Sequence, residues 1–372
     1  MLRMSRRTRA LMSVYRVSFC SMRLLTPRLA GCERIGRGEI DVPVPRVVLP
    51  NPVTLHTAES FVNQTAFPWP PVGGSAELVL PKGYCYLAPM GIAAIAAWGD
   101  TLRGQHVQIT CENVDTRGVG YASRLHMFDF LGCQGPAMVE HEETGRFIPV
   151  TRIQNQKQLR DFAINIVPLL HVDSPETVSA VRYCFEELVR NVLEHAGGPA
   201  AYACAQYYPA SSKVSIAVAD CGQGLLGSLS GNHPELSDDE AAVLLALRPG
   251  VSGVTARRFG GQENAGAGLF FTKSIAKFSG ERFLLYSGRG GYLLFQHRDD
   301  AQRAMVFEEP ECDKHKLLSG SCWPGTIVAL DIGVSPTYSF GHVLKTIRDR
   351  YYDFTKGSRV HKAIRFEKRG RR

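Results

Sequence analysis

The sequence predicts an α+β protein: a small α/β unit precedes a sandwich of a mixed sheet with helices on one face. A stretch rich in proline and glycine, residues 38–75, disfavours helix and predicts a linker or an extended edge. Strand and helix patterns alternate over residues 76–132, which indicates the small α/β unit. From residue 151 onward they mix without βαβ regularity, which favours the sandwich.

The elements of the small unit follow from local patterns. Alternation predicts strands at 76–80 and 106–111. Pro89 suits the first turn of a helix over 89–103, and Gly132 suits the end of one over 121–131.

The larger unit contains more elements in less regular order. The predicted helices span 155–170, 175–196, 237–247 and 270–279, and the predicted strands span 201–208, 213–219, 282–287, 291–297 and 326–332. Ser237 with Glu240 three residues later is typical of a capping box.

Length and charge divide the chain further. The 372 residues exceed a usual single core, so two globular units with tails are expected. Residues 1–37 and 341–372 each sum to +8, so the body between them is acidic although the whole chain is +8. The predicted divisions are a basic N-terminal extension at 1–45, a small domain at 46–150, a larger domain at 151–334 and a basic tail at 335–372.

The basic ends allow several interpretations. They can attract nucleic acid or anionic lipid, or they can be solvated tails. Because no base-reading module accompanies them, the solvated tail is favoured over a nucleic-acid partner. The arginine-rich extension also fits disorder, an organellar transit peptide or a start codon placed too far upstream.

Cysteine usage and hydropathy favour a cytoplasmic protein. The ten cysteines include no C-x-x-C pair, which suggests reduced thiols, and Cys221 is interpreted as a small filler. The longest apolar run, residues 84–98, is too short to cross a bilayer and contains Pro89 and Gly91. No membrane span is expected.

Four short segments carry the functional prediction: EELVRNVLEH (186–195), DCGQG (220–224), NAGAGL (264–269) and PGT (324–326). In the first, Glu187, Asn191 and His195 are four residues apart and share a helix face. A carboxylate and an amide oxygen there can serve a water and a magnesium ion. A plain solvent-facing helix is the alternative.

The other segments are glycine turns beside predicted strands and helices. Asp220 at a strand end can accept from an exocyclic amine such as that of adenine, and Gly222 and Gly224 let the backbone pass close to a flat ring. Gly266 and Gly268 let backbone N–H groups face phosphate at a helix N-terminus. Taken singly, each segment also fits an ordinary turn.

In this order the four segments resemble the GHKL ATPase superfamily, which includes gyrase, the large heat-shock chaperone, histidine kinases and MutL. The resemblance covers residues 151–334 and implies the Bergerat α/β sandwich with bound ATP and Mg²⁺. The residues that match the family motifs are Glu187, Asn191, His195, Asp220, Gly222, Gly224, Gly266, Gly268, Leu269, Gly325 and Thr326.

The resemblance also implies individual roles. Glu187 would be the general base and Asn191 would hold magnesium. Asp220 would bind adenine, with Thr326 supporting that side of the pocket. The two glycines of the third segment would contact the phosphates, and residues 225–265 would form a lid over the nucleotide.

The layout is most similar to that of anti-sigma-factor serine kinases, and the small domain resembles a STAS domain. Its helix begins at LAPMG, where Ala88 and Met90 offer no hydroxyl for phosphorylation, so it is expected to be a binding or dimerising module. No histidine lies on a recognisable dimerising hairpin, which disfavours a sensor kinase. Little chain follows residue 334, which disfavours a molecular clamp with a transducer domain.

The sequence thus predicts a Mg-ATP-binding regulatory protein with a protein partner or a second copy of itself. It would hydrolyse ATP slowly or phosphorylate a protein Ser or Thr. Two alternatives stay open. One is a non-catalytic, nucleotide-gated protein-binding switch, and the other is an ATP-regulated nucleic-acid binder that uses the basic ends.

Overall fold

The computed structural model describes residues 44–137, 146–171, 182, 185–186, 188–190, 198, 200–251, 268–297, 299–334 and 342–354. Its strands are β1 Arg46–Val48, β2 Ser75–Val79, β3 Gln108–Glu112, β4 Phe147–Ile153, β5 Ala201–Tyr208, β6 Lys213–Ala219, β7 Phe283–Leu294 and β8 His315–Gly333. Its α-helices are α1 Ala58–Gln64, α2 Pro89–Gly104, α3 Val119–Arg124, α4 Met127–Leu131, α5 Gln156–Ile166, α6 Gly224–Leu229, α7 Asp239–Ala246, α8 Gly268–Phe278, α9 Asp300–Arg303 and α10 342–354. In these ranges no helix combines the length and the hydropathy that crossing a membrane requires.

The small unit is built on a parallel sheet in the order β1-β2-β3. The predicted alternation of strand and helix is confirmed, and β1 is an edge strand inside the proline-rich stretch. Pro89 occupies the first turn of α2, where its missing N–H costs nothing. The helix predicted over 121–131 is wrong as a single element. His126 has a left-handed backbone (φ 61°), which separates α3 from α4.

The larger sheet has the order β4-β5-β6-β8-β7 and is antiparallel throughout, so the chain is α+β with one parallel and one antiparallel sheet. The prediction of a mixed sheet here is wrong, because β5–β6 and β7–β8 are sequential antiparallel pairs. The strands predicted at 282–287 and 291–297 are one strand, β7. Irregular pairing at Ser287–Gly290 marks where the sequence pattern breaks.

Both faces of this sheet are buried. Side chains of β6 alternate between two clusters: Val214, Ile216 and Val218 face α5 and α8, whereas Ala217 and Ala219 face the small unit. Helix α2 packs on that second face, where the small side chains Ala217, Ala219 and Ala329 let it approach closely. The prediction of helices on one face was therefore incomplete.

Polar contacts accompany this packing. The Tyr202 hydroxyl of β5 donates to Asp100 of α2, and Asp100 also pairs with Arg152 of β4 at 3.0 Å. The rings of Tyr202 and Phe130 meet edge to face at 5.5 Å between centroids. The described residues from Val44 onward belong to one compact unit.

Two local predictions need correction. The helix predicted from 237 begins at Asp239, and its cap is Asp238, whose carboxylate accepts from the Ala241 N–H at 2.8 Å; Ser237 donates to Asp238 instead. Part of the predicted basic tail is α10. Its Val343, Leu344, Ile347 and Tyr351 are buried in the helix-side cluster, because their spacing puts them on one helix face.

Replacing Trp98 tests whether α2 is integral to the core. Trp98 is fully buried, and its indole N–H donates to the Pro68 carbonyl at 3.0 Å. We expect Trp98→Ala to lower the free energy of unfolding in urea by about 3–5 kcal/mol. The control Val72→Ala changes a residue that is 73% exposed and should cost less than about 0.5 kcal/mol. Equal effects of the two variants would show that α2 is not part of the stabilising core.

Candidate functional site

The candidate site lies where β6 ends beside β8. Asp220 directly follows β6, and its backbone N–H donates to the Thr326 carbonyl at 2.9 Å, which extends the ladder by one residue. The Asp220 carboxylate also forms hydrogen bonds at this position, one of them to β8. Its Oδ2 accepts from the Thr326 N–H at 3.1 Å and its Oδ1 accepts from the Gly222 N–H at 2.7 Å. The second and fourth predicted segments are therefore in direct contact.

Burial shapes the chemistry of this carboxylate. Asp220 is 1% exposed, and burial raises its pKa to about 7 even though the hydrogen bonds from Gly222 and Thr326 act in the opposite direction. An aspartate that titrates near neutrality inside a turn is uncommon, and such groups concentrate at functional sites. The neighbouring Cys221 thiol has its pKa raised by burial as well, in keeping with a filler role.

Only glycine fits at position 325, because Asp220 lies very close to its backbone. A Cβ built at Gly325 would lie 2.2 Å from the Asp220 carbonyl oxygen and 2.4 Å from its Oδ1. These separations are far below a van der Waals contact, so a larger residue would push Asp220 out of place. The glycine of the PGT segment thus determines how near β8 comes to the acid.

Gly224 is required for two reasons. Its backbone is left-handed (φ 69°), and a Cβ there would lie 2.8 Å from the Ser287 hydroxyl. Helix α6 begins at this residue, and the Leu225 N–H donates to Ser287 Oγ at 2.8 Å. Ser287 in turn donates to the Gly325 carbonyl at 2.9 Å.

The Ser287 side chain therefore bridges the DCGQG turn and the PGT segment. The sequence did not predict this residue. It lies in the glycine-rich run SGRGG of β7, where the pairing with β8 is irregular. Asp239 fixes this irregularity by accepting from the Arg289 N–H at 2.9 Å, and its carboxylate fills the space above Gly288. A serine and three glycines within five residues of a strand pattern were the available signal for a bulge.

Trp323 is a second residue that the sequence did not single out. Its indole N–H donates to the Asp220 carbonyl at 2.8 Å, and the residue is 2% exposed. The other side of the ring meets Phe67 and Trp69 of the proline-rich stretch, at 5.2 and 6.2 Å between centroids. This contact ties the acid to the N-terminal part of the fold.

The third predicted segment enters the described chain only at its end. Gly268 and Leu269 form the first turn of α8, and Leu269 shares the helix-side cluster with Leu225 of α6. Glu187, Asn191, His195 and Gly266 lie outside the described residues, so the predicted magnesium ligand and base stay predictions.

Most of the segment predicted as a lid, residues 225–251, is described. It includes α6 and α7, and Leu225, Leu229, Val243 and Leu247 are buried in the core. Its role as a lid stays a prediction. The remainder of the predicted lid, residues 252–265, lies outside the described residues.

Gly325→Ala tests the close approach of β8 to Asp220. Because the new methyl group overlaps backbone and carboxylate atoms of Asp220, we expect a loss of about 1–3 kcal/mol in unfolding free energy. Gly231→Ala is the matched control, since nothing lies within 4 Å of its added Cβ. The comparison is made by urea unfolding, and a Gly325 variant as stable as the control would contradict the geometry.

The pH dependence of stability tests the state of Asp220. Its folded-state pKa, about 7, lies above the ordinary value of 3.8, so the folded protein binds the extra proton. This contribution to stability is fully present below about pH 4 and is lost as the pH rises through 7. We expect the unfolding free energy of wild type to fall over this interval relative to that of Asp220→Asn, which has no carboxyl group to titrate there. A difference that is constant from pH 4 to 8 would argue against a raised pKa.

Comparisons with known proteins supply no family for this chain. No protein-family model matches it, and neither the curated proteins nor the solved structures contain a match. The functional interpretation of the site therefore depends on its residues and their geometry.

Proposed function

We propose that this chain is a Mg-ATP-binding regulatory protein of the histidine kinase-like (GHKL) ATPase type, which hydrolyses ATP slowly or phosphorylates a protein Ser or Thr. The observation that carries the proposal is the contact of Asp220 with Gly222 and Thr326. Two segments about a hundred residues apart, which the resemblance implies form one pocket, share a single hydrogen-bonded carboxylate.

The chemistry of Asp220 supports an adenine partner. Each carboxylate oxygen has taken one backbone N–H and retains a lone pair that can accept from an exocyclic amine. The flanking Gly222 carries no side chain, which lets a flat ring approach the backbone. An amine that donates to the ionised form favours that form, so ligand binding would lower the pKa of Asp220 from its raised value.

The order of the sheet supports the same proposal. Since β6 and β8 are neighbours, the turn that follows β6 lies beside the PGT segment, which is part of β8. Helix α8 packs on the helix-side face, and the resemblance implies that the phosphates bind at the glycines that precede it. The resemblance supplies Glu187 as general base and Asn191 as magnesium ligand.

The nucleotide-gated switch is the second candidate, and one observation favours it. Trp323 links the Asp220 carbonyl to Phe67 and Trp69, so a change at the acid reaches the small unit through a buried ring. This function needs binding and no turnover. For the nucleic-acid alternative, most of the basic ends lie outside the described residues.

Nucleotide affinity tests the role of Asp220. We expect wild type to bind ATP about tenfold or more tightly than purine riboside triphosphate, which lacks the exocyclic amine, because an amine–carboxylate hydrogen bond contributes about 1.5–3 kcal/mol. Asp220→Asn should bind ATP more weakly and lose the discrimination between the two nucleotides. The control Asp129→Asn changes an exposed acid outside the site and should behave as wild type. Equal wild-type affinity for both nucleotides, measured by calorimetry with Mg²⁺, would exclude the adenine role.

The same preparations separate the two candidate functions. Release of γ-phosphate, or its transfer to protein, that is abolished in Glu187→Gln supports the enzyme. Tight ATP binding with no phosphate release in wild type supports the switch. If neither ATP binding nor turnover is detected, both candidates fail.

A further inference from the structure

A cavity of about 220 Å³ lies at the opposite ends of β6 and β8 from Asp220. Lys213 and Ser215 of β6 and Asp331 of β8 form one wall, and Tyr208 lies at the end of β5. The small unit closes the other side with His56 and Tyr86. The cavity is much larger than the ~30 Å³ share of one water and smaller than the ~300 Å³ at which drug-sized pockets begin. It therefore has room for a small metabolite.

The wall carries one fixed positive and one fixed negative charge. Lys213 Nζ lies 2.7 Å from Asp331 Oδ2, and the Asp331 side chain is only 4% exposed. Arg282 and Glu281 add one further charge of each sign nearby. Asp331 would repel a phosphate or a dicarboxylate, and Lys213 would repel a simple amine. A molecule with one ammonium and one carboxylate matches both poles.

The uncharged side of the cavity offers hydrogen bonds. Burial lowers the pKa of His56, with smaller contributions from Arg282 and Lys213, so its ring is neutral at pH 7. The Tyr208 hydroxyl is buried and interacts with the hydroxyl of Tyr86. A hydroxyl can donate one hydrogen bond and accept two, so a polar ligand atom can also bind to this pair.

We propose that this cavity binds a free α-amino acid as a zwitterion. Its ammonium group pairs with Asp331, its carboxylate pairs with Lys213, and a polar side-chain atom reaches the Tyr208 hydroxyl. The ligand is thus clamped between the sheet and the small unit. This site is separate from the proposed nucleotide site and does not depend on it.

The test is calorimetry and thermal unfolding of the full chain with each of the twenty amino acids at millimolar concentration. We expect one amino acid, or a narrow group with polar side chains, to bind saturably and to raise Tm by linkage. Lys213→Met and Asp331→Asn should each weaken that binding about tenfold or more. Tyr208→Phe should weaken binding, because it removes the hydroxyl that faces the ligand; a merely structural role would lower the Tm of the free protein and leave the affinity unchanged.

Lys316→Met is the matched control, because it breaks a Lys–Glu pair of the same 2.7 Å length, with Glu59, outside the cavity. It should leave amino-acid affinity unchanged. The proposal is overturned if none of the twenty amino acids binds, or if binding survives both Lys213→Met and Asp331→Asn. Preferential binding of glucose or inorganic phosphate over every amino acid would overturn it as well.

Discussion

The pairing of β6 with β8 is the constraint on which the rest of the structure depends. These strands run antiparallel from Lys213 opposite Gly333 to Ala219 opposite Ile327. Their register brings Asp220 against Thr326 at one end and Lys213 against Asp331 at the other. A shift of one residue would turn every side chain to the opposite face and separate both pairs. The register is strongly specified, because both faces of the two strands are buried.

The same burial explains the composition of the central strands and of α2. A sheet covered on two faces has near-continuous apolar strands, as β6 does. Where α2 crosses the sheet, β5, β6 and β8 carry the small side chains Cys204, Ala217, Ala219 and Ala329. Helix α2 itself is rich in alanine and glycine over PMGIAAIAAWG, so the helix and sheet approach closely. As a result, the small unit and the larger sheet share one hydrophobic cluster. Residues 46–150 were predicted as a separate domain, and their apolar residues complete one cluster with the second sheet face, so this cluster needs both parts.

The sequence was sufficient for most of the local elements and for the two segments that hold the Asp220 carboxylate, because both depend on short patterns. Pro89, the alternation in β6 and the glycines of DCGQG and PGT each report the backbone within a few residues. Ser287 and Trp323 were missed because their roles come from partners that are distant along the chain. The direction of β7 and β8 and the cover over the second sheet face were missed for the same reason: no local pattern records which strands pair or what packs above them.

A buried acid with a raised pKa needs a physical reason to persist, because an ionised Asp220 destabilises the folded state at neutral pH. Packing alone gives no such reason, since an apolar residue at the end of β6 would suit an apolar cluster better. The surrounding residues are arranged around the charge itself: Gly222 and Thr326 aim N–H groups at it, Gly325 leaves room for it, and Trp323 holds its carbonyl. These groups are already in place around a carboxylate that can accept a further hydrogen bond. An amine that donates to Asp220 would favour its ionised form and lower its pKa, and so offset the free-energy cost of burying the charge. The raised pKa and the close glycine packing therefore share one cause, the burial of this carboxylate where β6 ends beside β8.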